Sequence, residues 1–317
     1  MFCINVLASA FSIRSIRCGV HCAATMLWLN SSCVAQELEI GRWNHLPVNQ
    51  NFVTANYGHT DGDIAFDPLL RIENTSVAMD TWLLGYIRTF ELFDKTARIE
   101  VRQAWQTGHW TGMVNGTPTS ISREGWADTF VRIGVNLLGA PPLAGSNYAS
   151  YRAATKVETI VGAALGVQIP TGKYLDDKLI NLGTNRFTFR PQMGIQHHHD
   201  NWTFNATGMA MIFTENSSFF GGNRLEQAPF YTIDGTVKYS FESGLWASAS
   251  AGIGVGGRST VNDSKKDDYK ENYAWAVSLG FPVTSSVGFK VAYIETDHWA
   301  RVGTASQTVS IALVGTW

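Results

Sequence analysis

The sequence alternates apolar and polar residues with a period of two, and this pattern constrains the fold more than any other feature. The clearest run ends at the C-terminus, where the alternate positions are Val309, Ile311, Leu313, Gly315 and Trp317. Residues 187–195, 202–212 and 273–281 alternate in the same way. Because successive side chains of a strand point to opposite faces of its sheet, the pattern predicts strands with one apolar face and one face of polar or small residues.

Long strands recur along the chain, whereas long apolar runs do not. After residue 35, the longest apolar run spans residues 160–167, far short of the roughly 20 residues of a membrane-spanning helix. Segments of strand character lie at 50–60, 76–90, 97–111, 125–138, 156–169, 186–197, 201–213, 229–241, 245–256, 272–283, 287–299 and 306–317. Strands of this length are typical of tilted membrane crossings, although a soluble β-sandwich also alternates.

The connections between these segments favour the membrane interpretation. Short connections lie at 91–96, 198–200, 242–244 and 284–286. Long, polar connections lie at 61–75, 112–124, 171–185, 214–228 and 259–271. Short turns on one side and long loops on the other predict an all-β, antiparallel, up-and-down transmembrane barrel of about twelve strands, with the short turns in the periplasm.

One connection departs from this rule. Residues 139–156 fall on the short side but form a long segment that contains Pro141-Pro142. The segment is either a periplasmic extension or a break in the strand pattern, since Pro interrupts regular structure.

The first 35 residues predict a secretory signal peptide. Arg14 and Arg17 precede a largely apolar stretch at 19–29, and small residues end at Ala35, directly before the polar Gln36. This segment contains all four cysteines of the chain: Cys3, Cys18, Cys22 and Cys33. A mature chain that begins at Gln36 has no thiol, which agrees with export through an oxidising periplasm.

Two alternatives stay open at this end of the chain. The segment is longer than most signal peptides, so that Met26 or another internal site is an alternative start of translation. Lipidation of Cys33 is the other, but Asn30-Ser31-Ser32 does not match the residues expected before a lipidated cysteine. We assign residues 1–35 to the signal peptide and residues 36–317 to the barrel.

The last strand predicts contact with the machinery that assembles outer-membrane proteins. The terminal aromatic residue and the apolar residues before it match an assembly signal, although a soluble protein could carry them in an amphipathic last strand; they are Val309, Ile311, Leu313 and Trp317. The expected location is the cell outer membrane, and the expected partners are its lipid, the assembly machinery and a small-molecule solute. A formal net charge of -2 without a basic run predicts no nucleic-acid partner.

Two motifs and the closing run resemble a known bacterial family. The motifs are Gly166–Tyr174 (GVQIPTGKY) and Asn181–Phe187 (NLGTNRF), and the similarity spans about residues 157–317. The chain resembles the family named for meta-pathway phenol degradation, whose members are outer-membrane barrels mostly labelled as transporters. The resemblance implies a barrel and export more strongly than any substrate.

Each motif also has a physical interpretation. Pro170-Thr171-Gly172 ends a strand, because Pro cannot donate a ladder hydrogen bond and Gly accepts turn geometry. Residues 181–185 are turn formers in the loop that follows. The alternative is an external loop that contacts a ligand.

Charged and polar residues opposite the apolar faces are the candidates for lining the lumen. They are Arg98, Glu100, Arg102, Asp128, Arg132, Arg186, Arg190, Gln192, Asp234, Lys238 and Lys290. In one interpretation their charges pair across the interior and fill a narrow barrel. In the other they form a mildly basic constriction that selects solutes. Acidic residues are interleaved with the basic ones, which favours the first interpretation.

Neither a metal site nor a cofactor is predicted. His197, His198 and His199 alternate between strand faces and do not converge on one ion, so a polar turn with Asp200 is expected. Acidic residues and lysines are mixed within 263–268, and this mixture indicates a solvated loop rather than a calcium site.

The predicted function is passage of small molecules across the outer membrane, with aromatic or hydrophobic compounds as the expected class if the family label is informative. No Gly-x-Ser-x-Gly element is present, and no catalytic pair stands out among the scattered serines and histidines. An enzyme is therefore not predicted. The alternatives are an outer-membrane enzyme of the lipid-modifying type and a plugged barrel with a structural or surface role.

Overall fold

The computed structural model describes Leu38, residues 41–65 and residues 72–317. The predicted signal peptide at 1–35, its alternatives and the predicted N-terminus at Gln36 lie outside these residues. The elements in chain order are β1 (Asn51–Ala65), β2 (Ile72–Leu92), β3 (Lys95–Val114), β4 (Thr117–Trp126), β5 (Thr129–Leu138), α1 (Gly145–Ala154), β6 (Val157–Ile169), β7 (Thr188–His199), β8 (Trp202–Phe213), β9 (Asn216–Phe219), β10 (Asn223–Gln227), β11 (Phe230–Ser240), β12 (Trp246–Gly256), β13 (Ser259–Val261), β14 (Ser264–Lys265), β15 (Lys270–Pro282), β16 (Val287–His298) and β17 (Gly303–Thr316).

The main sheet closes on itself as an antiparallel barrel with 12 strand positions. Each wall strand pairs with the next wall strand along the chain. The first strand pairs with the last, from Phe52 opposite Thr316 to Ala65 opposite Gly303. Closure leaves no sheet edge in the hydrocarbon, where unpaired backbone groups would be costly. The predicted fold class and strand number are confirmed. The short strands β9, β10, β13 and β14 form a separate small sheet above the wall.

The fourth position of the wall is one strand in two pieces. Both β4 and β5 pair with β3, and the break lies at Ala127-Asp128. In two connections predicted as long loops, 61–75 and 112–124, the described residues of the first (61–65 and 72–75) and most of the second are strand instead. The second is a hairpin closed by Asn115-Gly116, both with positive φ, as a two-residue hairpin turn requires. In these extensions polar residues and Gly and Pro interrupt the apolar alternation, so their sequence resembles that of a loop.

The two faces of the wall have opposite chemistry. On β15, Leu279 is 54% exposed and Trp275 is also exposed, whereas Ala276 and Ser278 between them are buried. Around the barrel, exposed aromatic and aliphatic residues face outward and polar residues are buried inside. This reverses the arrangement of a soluble protein and provides a surface for lipid. This lipid-facing surface is what the predicted location in the cell outer membrane requires.

Replacing Leu279 with Arg is expected to destabilise the barrel by roughly 2–4 kcal/mol, provided that Leu279 lies near the bilayer midplane. The guanidinium would enter hydrocarbon without water or a partner. Urea unfolding of the barrel in lipid vesicles measures the change. The matched control is Thr117→Arg, at the exposed tip of the β3–β4 hairpin, which should leave unfolding unchanged. Equal unfolding of both variants would contradict the orientation of β15.

Residues 139–156 form an extension at the periplasmic end and carry α1. Gly139 and Ala140 have positive φ and turn the chain away from β5. Inside α1, only Tyr148 is buried, and its hydroxyl donates to the His45 carbonyl oxygen at 2.9 Å. The segment therefore packs against the chain that precedes β1. Among the described residues, no helix is long and apolar enough to cross a membrane.

Candidate functional site

The chain that precedes β1 lies inside the barrel and occupies part of the lumen. We call Leu38 and residues 41–48 the plug; all are buried. Leu38 packs on Ala274 and Ala276 of β15, and Trp43 packs on Ile160 of β6. These two strands stand on nearly opposite sides of the barrel. The plug thus crosses the lumen, and a plugged barrel has a direct structural basis.

Trp43 is the main anchor of the plug. Its side chain is 1% exposed, and its indole Nε1 donates to Thr207 Oγ1 at 2.9 Å. Gly162 of β6 and Gly194 of β7 leave room for the ring, because a Cβ at either position would overlap it. The two glycines are therefore needed for close approach of the indole to the wall.

Polar side chains of the wall also bind the plug. Arg98 donates to the Arg42 carbonyl oxygen, and Arg42 Nη1 lies 3.7 Å from Asp234 Oδ1. The Arg98 and Asp234 side chains, both predicted to line the lumen, therefore bind the plug.

The periplasmic extension holds the other end of the plug. His45 Nε2 lies 2.8 Å from the Pro141 carbonyl oxygen, and Val48 N donates to the Leu143 carbonyl oxygen at 2.8 Å. Sequence reasoning missed the plug, since no periodic pattern marks these residues. The only available signal was a run of apolar and aromatic residues ahead of the first strand.

All eleven predicted lumen residues are buried or half-buried on the inner side of the wall. Glu100, with 0% exposure, joins two of them: it accepts from Arg102 Nε, and its Oε2 lies 2.6 Å from Arg132 Nη2. Buried charges persist only when they are paired and hydrogen-bonded. Arg132 therefore braces the wall together with Glu100, as the first interpretation of these charges expected.

Asp128 is a second structural residue among the candidates. Its carboxylate accepts four hydrogen bonds: from Gly172 N at 2.9 Å, Thr184 N at 2.9 Å, Thr184 Oγ1 at 2.6 Å and Gln168 Nε2 at 3.0 Å. These bonds tie the external loop 170–187 to the break between β4 and β5. The Pro-Thr-Gly motif thus supplies one of the amides that the carboxylate binds.

The second motif holds the same loop from within. Asn181 Oδ1 accepts from Leu175 N at 2.8 Å, and Asn181 Nδ2 donates to the carbonyl oxygens of Leu175 and Lys178. These contacts support the turn-forming role of the motif.

Replacing Asp128 with Ala is expected to release the external loop and to cost about 1–3 kcal/mol, because the half-buried backbone amides of Gly172 and Thr184 lose their acceptor. Limited proteolysis between residues 170 and 187 should become faster, and urea unfolding should begin earlier. Asp177→Ala in the same loop is the matched control, since Asp177 is exposed and pairs only with Lys178 among the recorded ion pairs of the described chain. An unchanged proteolysis rate in Asp128→Ala would contradict the bracing role.

The remaining candidates lie at different depths along the lumen. Arg186 and Arg190 lie towards the external end, where each guanidinium faces an aromatic ring. Gln192 is deeper and donates to the Met209 sulfur at 3.3 Å. Lys238 and Lys290 are buried inside the wall on β11 and β16.

A chamber of about 420 Å³ opens at the periplasmic end between the plug, α1 and the wall. Its polar lining includes Asn44, Arg152, Glu158, Gln196, His198 and Lys238. His198 points inward, whereas His197 and His199 lie on the other face of β7 with ring centroids 6.3 Å apart. In the part of the chain that the structure describes, no group of three His, Cys, Asp or Glu could hold a metal ion.

A family model described as "Putative MetA-pathway of phenol degradation" matches residues 49–313. The resemblance predicted from residues 157–317 is confirmed, and the match extends it to nearly the whole barrel. No sequence among curated proteins matches the chain.

Among solved structures, the fold is similar to that of an outer membrane channel from Pseudomonas putida F1. The TM-score is 0.71 with 18% identity, over 89% of this chain and 100% of that one. The transport unit of the autotransporter AIDA-I from Escherichia coli gives a TM-score of 0.48 with 7% identity, over 93% and 94% of the two chains. The first likeness shows a shared barrel fold.

Proposed function

We propose that this chain, which belongs to the family described as "Putative MetA-pathway of phenol degradation", is a channel or transporter that passes small molecules across the outer membrane. The observation that carries the proposal is a closed barrel whose lumen is occupied in part by a separate plug, with a chamber of about 420 Å³ beside it. The wall pairs completely without the plug, since β1 begins at Asn51.

Aromatic or otherwise hydrophobic compounds are the proposed solutes. The family description associates its members with phenol degradation. Inside the external half of the lumen, Phe130, Phe230, Met209 and Met211 are buried on the inner face. Such side chains offer an apolar surface in an otherwise polar interior, and ligand sites combine these two features.

The proposed activity is passage without catalysis. The fold of the P. putida outer membrane channel supports this, as does a lumen in which the described carboxylates Glu100 and Asp128 have structural roles. A plugged barrel with a purely structural role is the second candidate, and the plug favours it. The channel lets solute cross the membrane through the barrel, whereas the structural barrel does not.

Liposome swelling tests this difference. Proteoliposomes that contain the mature protein should swell in an isotonic solution of a small polar aromatic solute faster than empty liposomes, and planar bilayers should record a small conductance. A variant without the plug serves as the positive control for an open lumen. If neither protein conducts or admits solute, the structural candidate replaces the channel. Release of fatty acid from the liposomes would support the enzyme alternative.

A further inference from the structure

We propose that the external half of the lumen binds amphipathic organic anions, each with an aromatic or apolar body and one acidic group. The inference rests on the proposed function and narrows the class of solute. It comes from the arrangement of arginine, phenylalanine and methionine side chains on neighbouring strands.

The side chains form a band across the inner wall, and the strand register fixes their order. Arg102 of β3 stands opposite Phe130 of β5, and Arg190 of β7 stands opposite Gly166 of β6. A Cβ at Gly166 would lie 2.6 Å from the Phe130 ring, so the ring covers this glycine and reaches the next strand. Phe130 therefore lies between two guanidinium groups, 4.8 Å from that of Arg102 and 5.3 Å from that of Arg190.

The band continues as an apolar patch. Met211 of β8 stands opposite Phe230 of β11, and these two residues form one buried cluster with Met209. Phe213 packs against this cluster. Thioether and aromatic groups adapt to varied apolar ligands. An apolar body can therefore contact this patch beside the arginines.

Arg186 supplies the group that recognises the acid. Its guanidinium lies 4.5 Å from the Phe213 ring centroid, and Nη2 donates to the side-chain oxygen of Gln227. Its Nη1 is buried without a hydrogen-bond partner. Both recorded partners, the ring and the amide, are uncharged. A largely desolvated guanidinium with neutral partners favours an anion, and the planar group binds a carboxylate through two parallel bonds.

Neither Glu100 nor Asp128 is among the recorded partners of Arg186. Glu100 binds Arg102 and Arg132, and Asp128 binds the external loop. The site therefore offers positive charge next to an apolar surface. A neutral aromatic solute would use only the apolar patch, and an aromatic cation would be repelled.

Binding of three probes with similar shape tests the inference: benzoate, benzyl alcohol and benzylammonium. Isothermal titration of the mature barrel in detergent should give an affinity for benzoate about tenfold or more above that for benzyl alcohol, because one good charged contact is worth about that ratio. Benzylammonium should bind most weakly. Arg186→Gln should remove about tenfold of the benzoate affinity and leave benzyl alcohol unchanged, whereas Arg186→Lys should keep part of the preference.

The matched control is Arg258→Gln. Arg258 is exposed and also lies near an aromatic ring, 5.7 Å from the Tyr269 centroid. It belongs to a different external connection, between β12 and β13. It should not change benzoate affinity. Heat-modifiable migration in electrophoresis reports folding of each variant.

Equal affinities of wild-type protein for benzoate and benzyl alcohol would overturn the inference. If folded Arg186→Gln keeps the wild-type preference for benzoate, Arg186 is not the group that recognises the acid, and the proposed site is wrong. If Arg186→Gln does not fold, Phe213→Leu tests the same contact, because loss of the ring should lower benzoate affinity. Binding in detergent is independent of passage, so benzoate binding without swelling of proteoliposomes would refute the proposed function alone.

Discussion

Deletion of residues 36–48 from the mature protein is expected to raise its single-channel conductance severalfold. These residues contain the plug, which crosses the lumen from β15 to β6. The wall does not depend on them for pairing, because the first strand begins at Asn51 and closes on β17. The deleted segment also binds Arg98 and Asp234, whose side chains would become available to water and ions. Recordings in planar bilayers measure the change.

A second route to the same open state leaves the plug in the chain. Gly162→Leu and Gly194→Leu each place a side chain where the Trp43 ring lies, so the ring must move and conductance should rise. Gly208→Leu is the control, because a Cβ at Gly208 meets no atom within 4 Å. All variants must show the heat-modifiable migration of a folded barrel. Wild-type conductance in the folded deletion variant would mean that the plug does not block the path.

Replacing Glu100 with Gln is expected to destabilise the barrel by about 3–5 kcal/mol, because breaking a buried ion pair leaves uncompensated charge. Glu100 is fully buried and contacts both Arg102 and Arg132. The change keeps the size of the side chain but leaves two guanidinium groups without their carboxylate. Urea unfolding in lipid vesicles should shift to clearly lower denaturant concentration.

The effect of charge can be separated from that of packing. Adding Arg132→Met to Glu100→Gln removes one of the two guanidinium groups that had paired with Glu100 and should recover part of the loss, since apolar replacement of a buried pair is often neutral. Glu242→Gln, in an exposed periplasmic turn, should have no effect. If Glu100→Gln unfolds at the wild-type denaturant concentration, water or another group compensates the two arginines.

The faces of the strands could be predicted because the rule behind them is local. Side chains i and i+2 share a face whatever the strand pairs with, so Trp275 and Leu279 could be placed outside from the alternation alone. The same rule placed Arg186 and Arg190 inside. It failed at residues 112–124, where polar residues and the Asn115-Gly116 turn interrupt the apolar alternation.

The pairing of the inner charges could not be predicted from that rule. Arg132, Arg186 and Arg190 look alike in sequence, since each is next to an apolar residue of the opposite face: Ile133, Phe187 and Phe189. Arg132 meets Glu100 only because β5 pairs with β3 in a register that sets them opposite each other. No acidic residue stands in that relation to Arg186 among its recorded contacts, and the side chain lies on Phe213 instead.

The sequence by itself therefore determined the barrel, its number of wall strands, the lipid-facing side of the strands that alternate clearly, and the family, because period-two alternation and short motifs are properties of neighbouring residues. Only the tertiary structure decided that Trp43 packs against the inner wall at Gly162 and Gly194, that Asp128 ties down an external loop, and that Glu100 pairs with Arg102 and Arg132. Most of these contacts join residues far apart in the chain. They depend on barrel closure and strand register, which no local pattern encodes.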